Sequence, residues 1–472
     1  MGTADRLPVP LDEVEVNPSS YVDPNGFVFH HEGRIHRAIY RDAAEFYRGL
    51  IADGTIDRLS AHHHLVATSV ADIRLEDARI GLVLRHETIE PLSYCVEWCP
   101  SMLRDAGLAQ LDLALAVLER DLILQDCYPW NVVFRGAEPV VVDLTSVVRA
   151  ETPLIWPAYE QFQAFFVRPL ALAAMGKGNV ARALLSNHIS GVCIDDFYRN
   201  ASGGYRLRHP SVAIGYHVNG WVQRSPALKR RLRQTVEASS RTVDRRTRER
   251  FLKKQYAILQ HARVGARTAD VWSAYYDEID AIVDRDAKVA AVRAALERLR
   301  PATVVDAGCN TGVFSLLAAE AGARVVSLDS SEACIERLYA NAKTGSLAVT
   351  PLVVDLCAPT PPSGWMARQY PGLIERARSE LVLCLGLMHH LHIAGRQSFP
   401  RIAELLDALA ARHLIFEFVG QDDPNNELIG GGRSIHYTLD EVRGALAVRF
   451  PRIEVLASDR PTRRLLVCEK NR

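Results

Sequence analysis

From about residue 300 onward the chain alternates short apolar, β-branched runs with helical ones, and this alternation limits the fold more than any other feature. It opens with "TVVDAG", the helical run "VFSLLAAEAG" and a second strand run, "RVVSLD". Two strands joined through a helix lie parallel, because the crossover returns the chain to the same end of the sheet. "SEACIERLYANAK", "VTPLVVDL", "ELVLCLGLM", "FPRIAELLDALAAR", "HLIFEFV" and "TLDEVRGALAV" continue the pattern, and "RIEVLAS" and "RRLLVCEK" close it across a short polar turn. The expectation for residues 268–472 is therefore an α/β domain with a doubly wound, mostly parallel sheet and an antiparallel pair at one end.

In such a sheet, ligands bind beyond the carboxyl ends of the strands, where the first strand turns into its helix. "DAGCNTG" occupies that place. A dinucleotide loop of the form G-x-G-x-x-G brings a pyrophosphate against bare backbone; here Gly308 and Gly312 remain, but Asn310 replaces the central glycine and Asp306 adds a charge that repels phosphate. The pattern suits a ligand with a positive end.

The run resembles motif I of the class I S-adenosylmethionine-dependent methyltransferases, an acidic residue, x, Gly, x, x, x, Gly after the first strand. The resemblance implies a seven-stranded Rossmann-like sheet and S-adenosyl-L-methionine as cofactor. It implies that Gly308, Cys309, Asn310 and Gly312 let the backbone approach the amino-acid portion, with Asp306 assisting at the ammonium end. Asp329 closes the second strand, where such enzymes hold both ribose hydroxyls, and both oxygens of a carboxylate can accept. Asp355 and Leu356 match the adenine contact after the third strand, and Leu385, in "LVLCLGLMHHL", lies on the strand beneath the transferable methyl. A dehydrogenase is the competing reading of the loop taken alone. Upstream, Trp272, Tyr275 and Tyr276 form either a lid over the cofactor or a helix packed on the sheet.

Methyl transfer from a sulfonium needs alignment of a nucleophile and exclusion of water, with a base if the acceptor is a hydroxyl. His389 and His390, with His392 behind them, are the candidates for that proton transfer or for the pocket wall. Glu417 ends the fifth strand and faces the acceptor in this reading, with Asp422 and Asp423 in the next loop.

Residues 1–152 read as an α+β region, with strand-like runs "GFVFHHEGRIHRAIY", "IGLVLRHETI" and "SYCVEWC" ahead of the helix "LAQLDLALAVLER". In "LILQDCYPWNVVFRGAEPVVVDLTSV", Asp126, Asn131 and Asp143 lie between strand runs. This spacing resembles the catalytic and metal-binding loops of kinase-like small-molecule phosphotransferases. The resemblance implies Asp126 as base, Asn131 and Asp143 as magnesium ligands, and ATP as cosubstrate if the region is active. Leu124 stands where the family has His, "DLT" replaces the DFG-type triplet, and neither a glycine-rich phosphate loop nor a clear β3 lysine is visible. "SYCVEWCPSML" is placed as the hinge beside adenine.

Residues 153–267 read as a helical connector. From Arg224 to Lys254 they hold twelve Lys or Arg against three acids, a surface for RNA or simply a solvated face. The whole chain has net charge +0, so no global bias toward nucleic acid exists. Nine cysteines without paired CxxC spacing read as thiols of a reducing compartment, and no apolar run is long enough to span a membrane. The expectation is a cytoplasmic, bacterial S-adenosylmethionine-dependent methyltransferase acting on a small-molecule or glycan acceptor. A bifunctional kinase-methyltransferase, an RNA methyltransferase and a non-catalytic scaffold that retains the cofactor site are the alternatives.

Overall fold

The computed structural model describes residues 6–20, 23–237, 243–264, 287–423, 436–456 and 460–471. Trp272, Tyr275, Tyr276 and the 267/268 boundary lie outside them.

The N-terminal region is organised by a five-stranded antiparallel sheet in the order β2-β3-β4-β7-β5. Its strands are β2 (Glu15–Val16), β3 (Gly26–His31), β4 (Arg34–Tyr40), β5 (Thr68–Val70) and β7 (Ile80–His86), with β1 (Leu7–Val9) and β6 (Ile73–Leu75) pairing beside it. The β3–β4 hairpin turns on Glu32 and Gly33 at φ 49° and 70°. Two positive φ values in a two-residue loop match the right-handed twist of the strands. Helices α1 (Arg41–Ala52) and α2 (Thr55–His62) follow β4.

"SYCVEWC" departs from expectation. It forms no strand; Glu97 N–H donates to Tyr94 O (2.9 Å) in a buried turn. Glu97 is 0% exposed, its Oε2 accepts from Tyr94 N–H (3.2 Å) and so closes the turn, and its carboxylate needs a cation that the segment itself lacks. Helix α3 (Pro100–Leu118) leads into β8 (Leu122–Leu124), the hairpin of β9 (Val132–Arg135) and β10 (Glu138–Val141), and β11 (Val147–Arg149).

Helices α4 (Tyr159–Phe162), α5 (Arg168–Ala174), α6 (Gly178–Leu185), α7 (Ile194–Asn200), α8 (Gly203–Arg208), α9 (Pro210–Arg224), α10 (Pro226–Glu237) and α11 (Arg245–Gln260) form the connector. Helix α11 packs along α3 so closely that a Cβ on Gly107 would stand 2.6 Å from Leu259. Arg248, in the basic run, is buried here, donating from Nη1 to Ile155 O (3.0 Å) and from Nη2 to Thr152 O (2.6 Å). It is a structural tie, not part of a charged surface.

After α12 (Ala287–Leu299) the expected sheet appears as seven strands in the order β14-β13-β12-β15-β16-β18-β17. These are β12 (Thr303–Ala307), β13 (Arg324–Asp329), β14 (Val349–Val353), β15 (Ser379–Cys384), β16 (Ala410–Val419), β17 (Arg452–Leu456) and β18 (Arg463–Glu469). Helices α13 (Val313–Glu320), α14 (Glu332–Thr344), α15 (Leu373–Arg376), α16 (Phe399–Leu409) and α17 (Leu439–Ala447) connect them. The first five strands run parallel, and β18 inserts antiparallel between β16 and β17. This is a Rossmann-like α/β architecture.

The N-terminal region covers the β14 edge. Val353 N–H donates to Glu97 O (2.7 Å) and Thr350 Oγ1 to Gly136 O (3.2 Å). Unpaired edge groups are thereby satisfied across the two regions. Arg376 supplies the cation for Glu97, Nη2 to Oε1 at 2.6 Å, with both side chains almost wholly buried. Asp105 accepts from Tyr339 OH (2.8 Å) and Lys343 Nζ (2.5 Å) on α14. One apolar core runs from Ile39 to Cys468 without a break.

Removing one partner of a buried pair leaves the other charge stranded. Arg376→Ala should lower the unfolding free energy by about 3–5 kcal/mol, measured by urea denaturation; a loss within the range of an exposed pair, below about 1 kcal/mol, would refute the role of this contact.

Candidate functional site

The glycine loop lies at the carboxyl end of β12. Gly308, Asn310 and Gly312 take φ of 77°, 50° and 91°, which only glycine adopts freely and asparagine tolerates. A Cβ on Gly312 would fall 2.2 Å from Leu338 Cδ1, so α14 packs directly on the bare backbone. Gly308 and Cys309 N–H donate to Leu328 O at 2.8 and 3.1 Å, tying the loop to β13.

Asp329 stands half-buried at the end of β13, and each of its oxygens accepts a backbone N–H: Oδ2 from Asn310 and Oδ1 from Ser331, both at 2.8 Å. It therefore shapes the loop that it was expected only to flank. Asp355 is exposed just past β14, its Oδ1 accepting from Cys357 N–H (2.8 Å), while Leu356 is buried beside it. Leu385 is buried immediately after β15. The expected residues thus share one rim, at the carboxyl ends of β12, β13, β14 and β15.

Asp306 is placed deeper than expected. It is 1% exposed and accepts from Ser315 Oγ (2.6 Å), which in turn accepts from Ser327 Oγ (2.7 Å). Burial raises its carboxyl to about 6, with the Ser315 bond opposing the shift. Its influence on a ligand is exerted through the field and through the loop, not from an open surface.

The histidines divide. His389 is buried, its Nδ1 has no partner among the described residues, and burial beside His390 lowers its pKa to about 3. So weak a base is a wall, not a proton acceptor at neutral pH. Burial also lowers the pKa of His390, which remains half-buried, its ring 4.4 Å from that of His389. His392 is engaged with Gln397 O (2.8 Å).

Glu417 overturns its expected orientation toward an acceptor. At 1% exposure it pairs with Lys288 Nζ (2.7 Å) and Arg463 Nη1 (3.5 Å), and Arg463 Nε reaches Asp423 at 2.8 Å. Among the described residues no group of three or more His, Cys, Asp or Glu is arranged to hold a metal ion. Arg463 carried no local sequence signal, since its partners Glu417 and Asp423 lie about forty residues away in the sequence.

A second constellation lies in the N-terminal region. Asp126 follows β8, Asn131 precedes β9 and Asp143 follows β10, so the hairpin folds the last two together: Asn131 Nδ2 donates to Asp143 Oδ2 at 3.1 Å. Thr145 Oγ1 lies 2.7 Å from both Asp143 Oδ1 and Asp23 Oδ2. Arg37, on β4, pairs with Asp23 at 2.6 Å and with Asp143 at 3.3 Å. Burial, with Asp143 nearby, raises the pKa of Asp126. Arg37 and Asp23 were missed because each lies more than a hundred residues from Asp143 in the sequence, on another element.

These residues line a cavity of about 1170 Å³ whose far wall includes Thr303, Arg324 and Ser379. Those three begin β12, β13 and β15. The cavity therefore meets the amino end of the C-terminal sheet, and the glycine loop lies at the opposite, carboxyl end.

No family model matches the chain. Nodulation protein NoeA of Rhizobium meliloti (strain 1021) is 27% identical over 423 residues, covering 88% of this chain and 87% of that protein. Among solved structures, the bifunctional kinase-methyltransferase WbdD is 19% identical, with 42% of each chain covered and a TM-score of 0.31. The chain thus spans less than half of WbdD. Magnesium protoporphyrin IX methyltransferase (ChlM) from Synechocystis PCC 6803 is 21% identical over 43% of this chain and 90% of its own, at a TM-score of 0.30. The 1,6-didemethyltoxoflavin-N1-methyltransferase of Burkholderia thailandensis is 19% identical over 45% and 95%, at 0.32.

Buried neutral His389 makes stability depend on pH. Its folded pKa lies below the unfolded value of 6.5, so its contribution is complete above that pH and is lost as pH falls toward 3. Asp306, raised from 3.8 to about 6, acts in the opposite direction between those values, and comparison with a variant cancels it. Between about pH 7 and pH 5, wild type should lose up to about 1.4 kcal/mol per pH unit more than His389→Asn, read from thermal unfolding; equal losses would show that His389 titrates normally in the fold.

Proposed function

We propose that the chain is an S-adenosylmethionine-dependent methyltransferase that modifies a small-molecule or glycan acceptor. The observation that carries this reading is the shared rim: a loop with three positive φ angles at the end of β12, a carboxylate at the end of β13 and Asp355 beyond β14. The cofactor fits this rim by its donor and acceptor chemistry. A Cβ at Gly308 would stand 3.0 Å from Leu387 Cδ1, and its φ of +77° is one that glycine adopts freely, so the loop holds this shape with glycine there. Asp329 offers a carboxylate, the group that can accept from vicinal hydroxyls, at the end of β13.

When bound, the cofactor supplies an activated methyl on a sulfonium. Gly308 to Gly312 would lie along its amino-acid portion, Asp329 would accept from the ribose, and Asp355 with Leu356 would meet the adenine. Leu385 and His389 are apolar or neutral wall, which excludes water from the reacting end. Asp306 and Asp329 add negative potential where the cofactor is cationic. In this reading His390, whose basicity burial also lowers, would receive the proton if the acceptor is a hydroxyl.

A second activity, phosphoryl transfer at Asp126, Asn131 and Asp143, is favoured by one observation, the Asn131–Asp143 contact on the wall of a cavity that also holds Asp126. The residues suit magnesium in type, with Asp126 left to orient an acceptor hydroxyl. Arg37 already neutralises Asp143 and Asp23, so a metal there would compete with a guanidinium.

Calorimetric titration separates these roles. Asp329→Ala should weaken S-adenosylmethionine binding by at least about tenfold, or 1.4 kcal/mol, and wild-type affinity in that variant would reject the site. Asp143→Ala should abolish binding of ATP with magnesium while leaving S-adenosylmethionine binding unchanged; ATP affinity equal to wild type would discard the phosphotransferase assignment.

A further inference from the structure

Helix α9 leaves large apolar side chains exposed along one side. Its inner face packs on α7 through Tyr216, whose ring stacks on Tyr198 at 4.1 Å, and through Val212, which joins a small apolar cluster with Phe197. Its outer face carries Ile214, Val218 and Trp221, exposed by 62%, 51% and 65%. At about 100° per residue these three fall within a single narrow arc. Leu207, on the preceding α8, is 85% exposed. Among the described residues helix α9 has none buried and α10 packs on α9, so the two form one arm of the connector.

The charge of this arm is one-sided. From Arg199 to Val236 the sequence has eight Lys or Arg and no Asp or Glu. Arg224, at the end of α9, and Lys229 and Arg230, on α10, are exposed. A bare apolar stripe on a monomer calls for an occupant, and the chemistry here specifies one. The occupant must take up apolar side chains and carry negative charge for the cations of the same segment. A bilayer with anionic headgroups meets both demands, with indole and aliphatic side chains at the headgroup boundary and cations against phosphate. RNA would satisfy the cations but not three exposed aliphatic and indole groups. A second copy of the arm would oppose like charge with like charge.

We infer that helices α8 to α10 form a membrane-surface element that lays Ile214, Val218 and Trp221 into the headgroup region of an anionic bilayer. The element lies on the surface and does not span it; among the described residues no helix is long and apolar enough to cross a membrane. The inference is independent of the methyl-transfer reading.

The test is flotation of the full-length protein with vesicles of phosphatidylcholine alone or mixed with phosphatidylglycerol. Wild type should float with the mixed vesicles and release as ionic strength rises. The triple variant Ile214→Ser, Val218→Ser, Trp221→Ser, and separately the pair Lys229→Glu, Arg230→Glu, should each reduce binding by at least about tenfold. An unchanged thermal midpoint establishes that each variant folds. Failure of wild type to float, equal partition into both vesicle types, or unchanged binding by the triple variant would overturn the proposal. Concentration-dependent dimerisation abolished by the same triple variant, or RNA binding that outcompetes vesicles, would overturn it in favour of those partners.

Discussion

The carboxylate of Glu97 has to be buried, and nothing in its own segment can neutralise it. Leaving such a charge unpaired inside a protein costs several kcal/mol, and its cation comes from Arg376, on the far side of β14 in the sequence. The pairing makes the N-terminal region dependent on the sheet for its own turn geometry, and the sheet dependent on that region for its β14 edge. Orientation follows: Gly136 and Glu97 lie along one edge strand, α3 along α14, and the N-terminal cavity against the amino ends of the strands.

Several acids near the candidate sites are answered in the same way by a base brought from elsewhere: Glu417 by Lys288 and Arg463, Asp423 by Arg463, Asp23 and Asp143 by Arg37, whereas buried Asp306 is held by the Ser315 hydroxyl. Thr145 shows how tight the N-terminal arrangement is. Its hydroxyl has a single proton and two carboxylate oxygens at equal distance, so Arg37 carries the remaining electrostatic load.

The parallel sheet was legible because strands buried on both faces read as continuous Val, Ile and Leu runs, and because a helix between two of them fixes their direction. The rim was legible for a related reason: Asp306, Gly308 and Asp329 hold set positions relative to strand ends. Asp126, Asn131 and Asp143 stood out because one short hairpin joins them. What could not be read was the depth of Asp306, the burial of His389, and the pairing of Glu417, since alternation says which face a residue takes but not what covers that face. "SYCVEWC" looked like a strand from its apolar spacing, and its one charge, read without its distant partner, gave no reason to fold it into a turn. Arg248 was similarly hidden, one cation among many in composition and a buried tie in three dimensions.

The glycine loop and the N-terminal cavity lie at opposite ends of strands of five or six residues, a separation of roughly 15–20 Å. The sheet lies between them, so a compound handled at both would have to travel the length of the strands, from their amino ends to their carboxyl ends, between one step and the next.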